Sequence, residues 1–254
     1  MDQDAAQAEY EQARSLDREG RKAEAERRYR VAAAAGHAAA MLNLGLIVVE
    51  RDPGEAERWW RSAAEAGDEI AMGNLGILLS DLGRGEEAEH WYLAAAGAGD
   101  LDARHNLGLL YVERRQTAKA AEEFRIAAEA GHVASMNNLA AALVRLDRGE
   151  EAEEWLRRGA EHGDGRAMGG LASRLYALGR RDEADEWWTK GAALGDADSL
   201  FNLGVRREHE NDLAGAEDLF RRAGAAGHPR GNARADAAAS AVRGDGSPYM
   251  PGLF

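Results

Sequence analysis

Residues 87–110 read EAEHWYLAAAGAGDLDARHNLGLL. Ala88, Tyr92 and Ala96 stand four residues apart and so share one helix face, a bulky side chain held between two small ones. Gly99 suits the left-handed residue that ends such a helix, and Asp100 can cap the first amides of a following helix that carries Asn106, Leu107 and Gly108. One dipeptide thus stops one helix and starts another.

The same punctuation recurs along the chain. A glycine followed by His or Asp stands at Gly36, Gly67, Gly99, Gly131, Gly163, Gly195 and Gly227, spaced by 31 residues once and by 32 thereafter. Eleven residues before each glycine is an alanine, and seven before it a large apolar residue: Tyr29, Trp60, Tyr92, Phe124, Leu156, Trp188 and Phe220. A leucine follows eight residues after the first six glycines, from Leu44 to Leu203. Short polar stretches such as Leu82-Gly83-Arg84-Gly85 split each unit into two helical segments. A fixed period of this size predicts stacked helix hairpins, each unable to bury its apolar face alone. Ala5 to Glu19 and Asn232 to Val242 lack the full pattern and read as terminal caps. The repeat domain is expected over 1–243, with 244–254 a flexible or docking tail.

Composition removes several function classes. With 45% hydrophobic residues, 30% charged residues and only four prolines in 254, the chain can bury a core and favours helix. A net charge of -13 repels phosphate backbones and anionic lipid surfaces, so neither nucleic acid nor membrane is an expected partner. The acidic N-terminus is unlike a signal peptide, and the longest apolar stretch, Leu42 to Val49, is too short for a membrane span. The absence of cysteine excludes disulfides and thiol chemistry, and fits a reducing, cytoplasmic setting. No phosphate-binding loop, nucleophile elbow or zinc-binding helix motif occurs, and neither a metal nor a cofactor is expected. His37, His132 and His228 replace the aspartate after the repeated glycine and read as capping residues rather than ligands. The tryptophan pairs Trp59-Trp60 and Trp187-Trp188 contain the repeat's core residue, which argues against a base-stacking platform.

The pattern Ala-Glu-x-Trp-Tyr-x-x-Ala-Ala-x-x-Gly-Asp followed by Asn-Leu-Gly, clearest in residues 55–78, 87–110 and 120–143, resembles the Sel1-like repeat, a relative of the tetratricopeptide repeat. The resemblance covers most of the chain. It implies an all-α fold: a right-handed α-α superhelical solenoid of about seven hairpins with terminal caps, its concave groove lined by the first helix of each pair. The unit here is shorter than the usual Sel1-like length, and the cysteine pair of the exported members is missing; both departures point to a cytoplasmic relative, and a bacterial protein is expected.

By analogy with tetratricopeptide grooves, the sixth, tenth and thirteenth residues after each glycine face the concavity. These are Leu42, Leu46 and Val49; Gly73, Ile77 and Ser80; His105, Leu109 and Val112; then Asn137, Ala141 and Val144; Gly169, Ser173 and Tyr176; Phe201, Val205 and Glu208. Core packing is the competing reading for such apolar stripes. Asn43, Asn74, Asn106, Asn138 and Asn202 share one mid-helix position despite asparagine's modest helix propensity. Either their amides bridge neighbouring helices or loops in a ladder, or they bond a bound peptide's backbone. Tyr249, Met250, Leu253 and Phe254 make the tail a candidate docking peptide, including for self-association. The expected function is a non-enzymatic scaffold or adaptor for a protein or peptide segment. The alternative is a regulator that senses a small molecule or peptide through a change in superhelix curvature.

Overall fold

The computed structural model describes residues 2–243, and every regular element among them is an α-helix. The described residues fall into two compact units, one ending at Ala130 and the other beginning at Gly131. The first holds α1 (Gln3–Arg18), α2 (Lys22–Ala34), α3 (Ala38–Val48), α4 (Pro53–Glu65), α5 (Glu69–Asp81), α6 (Gly85–Gly97), α7 (Leu101–Glu113) and α8 (Thr117–Glu129). The second holds α9 (Val133–Arg145), α10 (Gly149–Glu161), α11 (Gly165–Ala177), α12 (Arg181–Ala193), α13 (Ala197–His209), α14 (Leu213–Ala225) and α15 (Gly231–Arg243). In each unit, consecutive helices pack as antiparallel hairpins, and the next hairpin's first helix stacks against them. From α4 to α14 every helix has 13 residues. Three-residue connections separate them, so one hairpin accounts for the 32-residue period.

The connections explain the repeated glycine. Gly36, Gly67, Gly99, Gly131, Gly163, Gly195 and Gly227 all have φ between 82 and 102°. Gly36 N–H donates to the Ala33 carbonyl and His37 N–H to that of Ala32, at 2.9 and 3.1 Å, and the same double closure recurs at Gly67-Asp68 and Gly99-Asp100. This is the Schellman arrangement, which satisfies carbonyls the helix end would leave bare. The next residue then caps the following helix. Asp68 accepts from Ala71 N–H at 2.9 Å and Asp196 from Ser199 N–H at 2.8 Å. His37, His132 and His228 do the same through Nδ1, from Ala40, Ser135 and Arg230 N–H at 3.2 to 3.3 Å.

A second left-handed position keeps the same period without a constant residue. Gly83, Arg115, Asp147, Gly179 and Asn211, each inside a hairpin, have φ between 57 and 81°. Three of these five carry a Cβ that this region disfavours, Arg115 most clearly. Four second helices, α2, α6, α10 and α12, start with an arginine in place of an ordinary cap, whereas α8 starts at Gln116 and α14 is capped by Asp212. Arg84 clasps Glu87 through Nε and Nη2 at 2.7 and 2.8 Å, and Arg21 with Glu24, Arg148 with Glu151 and Arg180 with Glu183 repeat the clasp.

The core alternates knobs and sockets. Tyr29, Trp60, Tyr92, Phe124, Leu156, Trp188 and Phe220 are all buried. Four aromatic knobs press on a mid-helix glycine of the partner helix: Trp60 on Gly45, Tyr92 on Gly76, Phe124 on Gly108 and Phe220 on Gly204. A Cβ on Gly76 would stand 2.6 Å from the Tyr92 ring, well inside contact distance. The final glycine of Asn-Leu-Gly is therefore the socket for the repeat's own knob. Where Ala172 fills the socket position, Trp188 is still buried, but its indole N–H has no partner, whereas Trp60 donates to the Leu42 carbonyl at 3.1 Å.

Candidate partner-binding face

The socket residue also fixes what is left outside. In α3, α5 and α7 the glycine faces the knob, so the residue after it turns about 100° away, into solvent. Leu46, Ile77 and Leu109 occupy that place and are 51, 44 and 38% exposed. Asn43, Asn74 and Asn106, three residues earlier, border the same face and are half-buried. The first unit thus presents one apolar side chain and one amide at equivalent positions of three first helices.

The amides do not form the bridging ladder. Asn43 Nδ2 donates to the Ala39 carbonyl of its own helix at 2.8 Å, a bond that joins nothing to its neighbours. Among the described residues, the side chains of Asn74, Asn106, Asn138 and Asn202 make no hydrogen bond to the protein. Of the two readings, repeat-to-repeat bridging is the one corrected by these positions.

Other expected groove residues are divided between surface and core. Leu42 is buried at the knob of Trp60. Phe201 is buried too, with its ring 5.2 Å from that of Phe220 and stacked 3.9 Å from the His228 ring. Glu208 is buried in an ion pair with Arg234 of α15, and burial raises its pKa. These three are corrections: the sixth residue after the glycine leans into the hairpin's own core, and at Glu208 the terminal cap covers what other hairpins leave open. Val49, Val112, His105 and Asn137 are half-buried, with His105 5.5 Å from the Phe124 ring. Tyr176 is 39% exposed and lies between Trp188 and the Arg181 guanidinium, 5.4 and 5.7 Å from its ring. In the second unit the counterparts of Leu46 are Ala141, Ser173 and Val205, a smaller and less apolar set. Tyr249, Met250, Leu253 and Phe254 lie outside the described residues.

The electrostatics of each unit are dominated by arginine-carboxylate contacts at hairpin edges. Arg30 bonds Glu55 and holds its carboxyl down at about 2; Arg51 does the same, in direction, for Glu26, and Arg84 for Glu57. Tyr111 donates its hydroxyl to Glu89 at 2.8 Å, and burial and that bond push the phenol up to about 12. Two clefts, of about 580 and 560 Å³, contain such edges: Arg21 and Glu24 line one, and Arg84 and Glu87 line the other. Their polar walls already satisfy each other. Among the described residues, no three His, Asp or Glu side chains are grouped to hold a metal, and no helix is long and apolar enough to cross a membrane.

Known proteins with this architecture fit the pattern. Residues 70–96 and 133–161 match the tetratricopeptide repeat family. A Sel1 repeat protein from Oxalobacter formigenes superposes with a TM-score of 0.79 at 25% identity, covering 96% of this chain and 79% of its own. The chain has a tetratricopeptide-type repeat fold of the Sel1-like form. This Sel1-like chain is also similar to c5321, a protective antigen of uropathogenic Escherichia coli strains with an SLR fold. There the TM-score is 0.72 at 22% identity over 85% of this chain and 52% of that one. It therefore spans about half the length of that protein. PilF of Pseudomonas aeruginosa shares the fold at a TM-score of 0.61 and 20% identity, over 76% of this chain and 93% of its own. No curated protein matches the sequence. Sel1-like and tetratricopeptide folds generally serve as non-enzymatic scaffolds for protein interaction.

Proposed function

We propose that the chain is a non-enzymatic adaptor, acting in a bacterial cytoplasm, that binds a protein or peptide segment on the exposed face of α3, α5 and α7. The observation that carries this reading is the recurrence of a solvent-exposed Leu46, Ile77 and Leu109 beside the amides of Asn43, Asn74 and Asn106, of which Asn43 alone is bonded among the described residues, to its own helix. Folding leaves 38 to 51% of these three apolar residues in water, and a partner that covers them gains about half of the roughly 1.5–3 kcal/mol that full burial of such a side chain is worth. An extended peptide laid across the face would meet the asparagine amides with its backbone and the apolar row with its side chains.

The test is an affinity pull-down from native lysate, comparing the full chain with a Leu46→Asp, Ile77→Asp, Leu109→Asp variant after both are shown to be folded. A protein held by the wild type and lost by the variant supports the adaptor. Equal capture by both places the interface elsewhere. If neither captures a protein, a ligand-sensing regulator becomes the better reading, and ligand-dependent compaction in solution scattering would identify it.

A further inference from the structure

The binding face proposed above carries a third row of side chains. Glu50, Asp81 and Glu113 each stand four residues beyond Leu46, Ile77 and Leu109, Asp81 and Glu113 one helical turn along the same side and Glu50 in the turn just past α3, and all three are exposed. They make no ion pair or hydrogen bond among the described residues, although the unit binds many of its other carboxylates to arginine. Two of them also oppose their own helices. Asp81 and Glu113 are the last residues of α5 and α7, neither of which has a basic residue in its final turn. The negative end of the helix dipole disfavours a carboxylate there. In the second unit the equivalent positions are Arg145, Ala177 and His209, and the last turns of α9 and α13 are basic, as the dipole favours. Asp81 and Glu113 both add to the upward shift of the buried Tyr92 phenol, which burial chiefly causes. The row is thus a line of negative charge that costs the isolated fold and borders its exposed apolar face.

We infer that the partner segment of this face is a basic, apolar peptide, with Lys or Arg side chains that meet Glu50, Asp81 and Glu113 while its apolar residues cover Leu46, Ile77 and Leu109. The inference rests on the binding face itself and adds the chemistry of what it selects. Opposite charges at such a rim choose among partners and speed encounter more than they add affinity, while the apolar row supplies the hold. An acidic segment of the same shape is excluded by like-charge repulsion.

A phage-displayed library of random peptides, roughly 12 residues long to span an extended groove, is panned on the full chain. Enriched peptides are synthesised with a fluorophore and titrated by anisotropy against the wild type and three variants. These are Glu50→Gln with Asp81→Asn and Glu113→Gln; Leu46→Ser with Ile77→Ser and Leu109→Ser; and Glu65→Gln with Glu86→Gln and Glu122→Gln, which removes equal charge from exposed positions on second helices. The expected binders carry Lys or Arg between apolar residues, weaken about tenfold on loss of either row of the face, and change by less than about twofold in the third variant. Neutral or acidic binders that still need the Leu46 row overturn the basic preference and leave the binding face standing. Equal loss in the first and third variants traces the attraction to the net charge of -13 and overturns the inference. Binders indifferent to the Leu46 row, or no enrichment at all, overturn the face and the inference together.

Discussion

A mid-helix glycine in this chain costs helix propensity and returns it as packing. Gly76 has the Tyr92 ring where its side chain would be, so Gly76→Ala should destabilise the protein by about 1–3 kcal/mol through overpacking. Gly97, near the end of α6, has nothing within 4 Å of the same construction, and Gly97→Ala should instead stabilise by roughly 0.5–1 kcal/mol. Opposite shifts of the urea midpoint are expected, and shifts of the same sign would refute the socket. Arg115 makes the converse point. It holds φ 58° on an exposed turn where four of the equivalent residues are Gly, Asn or Asp, so Arg115→Gly should raise stability by roughly 0.5–1 kcal/mol. Asp147→Gly should gain less, because aspartate tolerates this region better. The repeated glycine before His or Asp was legible because one residue serves the turn every time. The second left-handed position was not, since Gly, Arg, Asp and Asn all occupy it and no letter repeats.

At the level of elements, the sequence exposed the hairpins, their period and the terminal caps, because knob, alanine and glycine recur at fixed offsets. It was less informative about which side of a first helix remains exposed. The tenth residue after the glycine points outward, whereas the sixth is packed or half-packed, a difference of one helical turn that hydropathy alone does not resolve when Leu42 and Leu46 are both leucine. Glu208 shows the same limit from the other direction. A charged residue reads as surface, yet α15 lays Arg234 on it and both are buried. Removing one partner leaves a buried charge, so Arg234→Met should cost about 3–5 kcal/mol, while Glu208→Met with Arg234→Met should recover most of that. Amide exchange in α15 would report the loss directly. A double variant as unstable as the single one would show that the pair does more than cancel its own desolvation.

Across the whole molecule, two electrostatic effects oppose each other as pH falls. The net charge of -13 means that titrating surface carboxylates first relieves self-repulsion, so stability should hold or rise from pH 7 down to about 5. Below that the hairpin edges decide. Glu26, Glu55 and Glu57 have folded pKa values depressed below the ordinary 4.5 by arginine contacts, Glu55 to about 2. A depressed carboxylate contributes its stability in full above the unfolded value and loses it as pH falls through the folded one, so these contacts weaken progressively from about pH 5 toward 2. Glu208 has the opposite sign: its raised pKa makes protonation easier in the folded state, and it offsets part of the loss. Glu24, Glu87, Glu89, Glu153 and Glu183 are lowered too, and eight depressed carboxylates against one raised among the described residues predict a urea midpoint that peaks near pH 5 and falls by pH 3. Glu26, Glu55 and Glu57 side chains are 15 to 18% exposed, so salt should screen this loss only partly. A Glu55→Gln, Glu57→Gln variant should be less stable at pH 6 and should show a shallower acid limb. An acid limb as steep as that of the wild type would mean that the arginine-carboxylate edges do not set the acid stability of the fold.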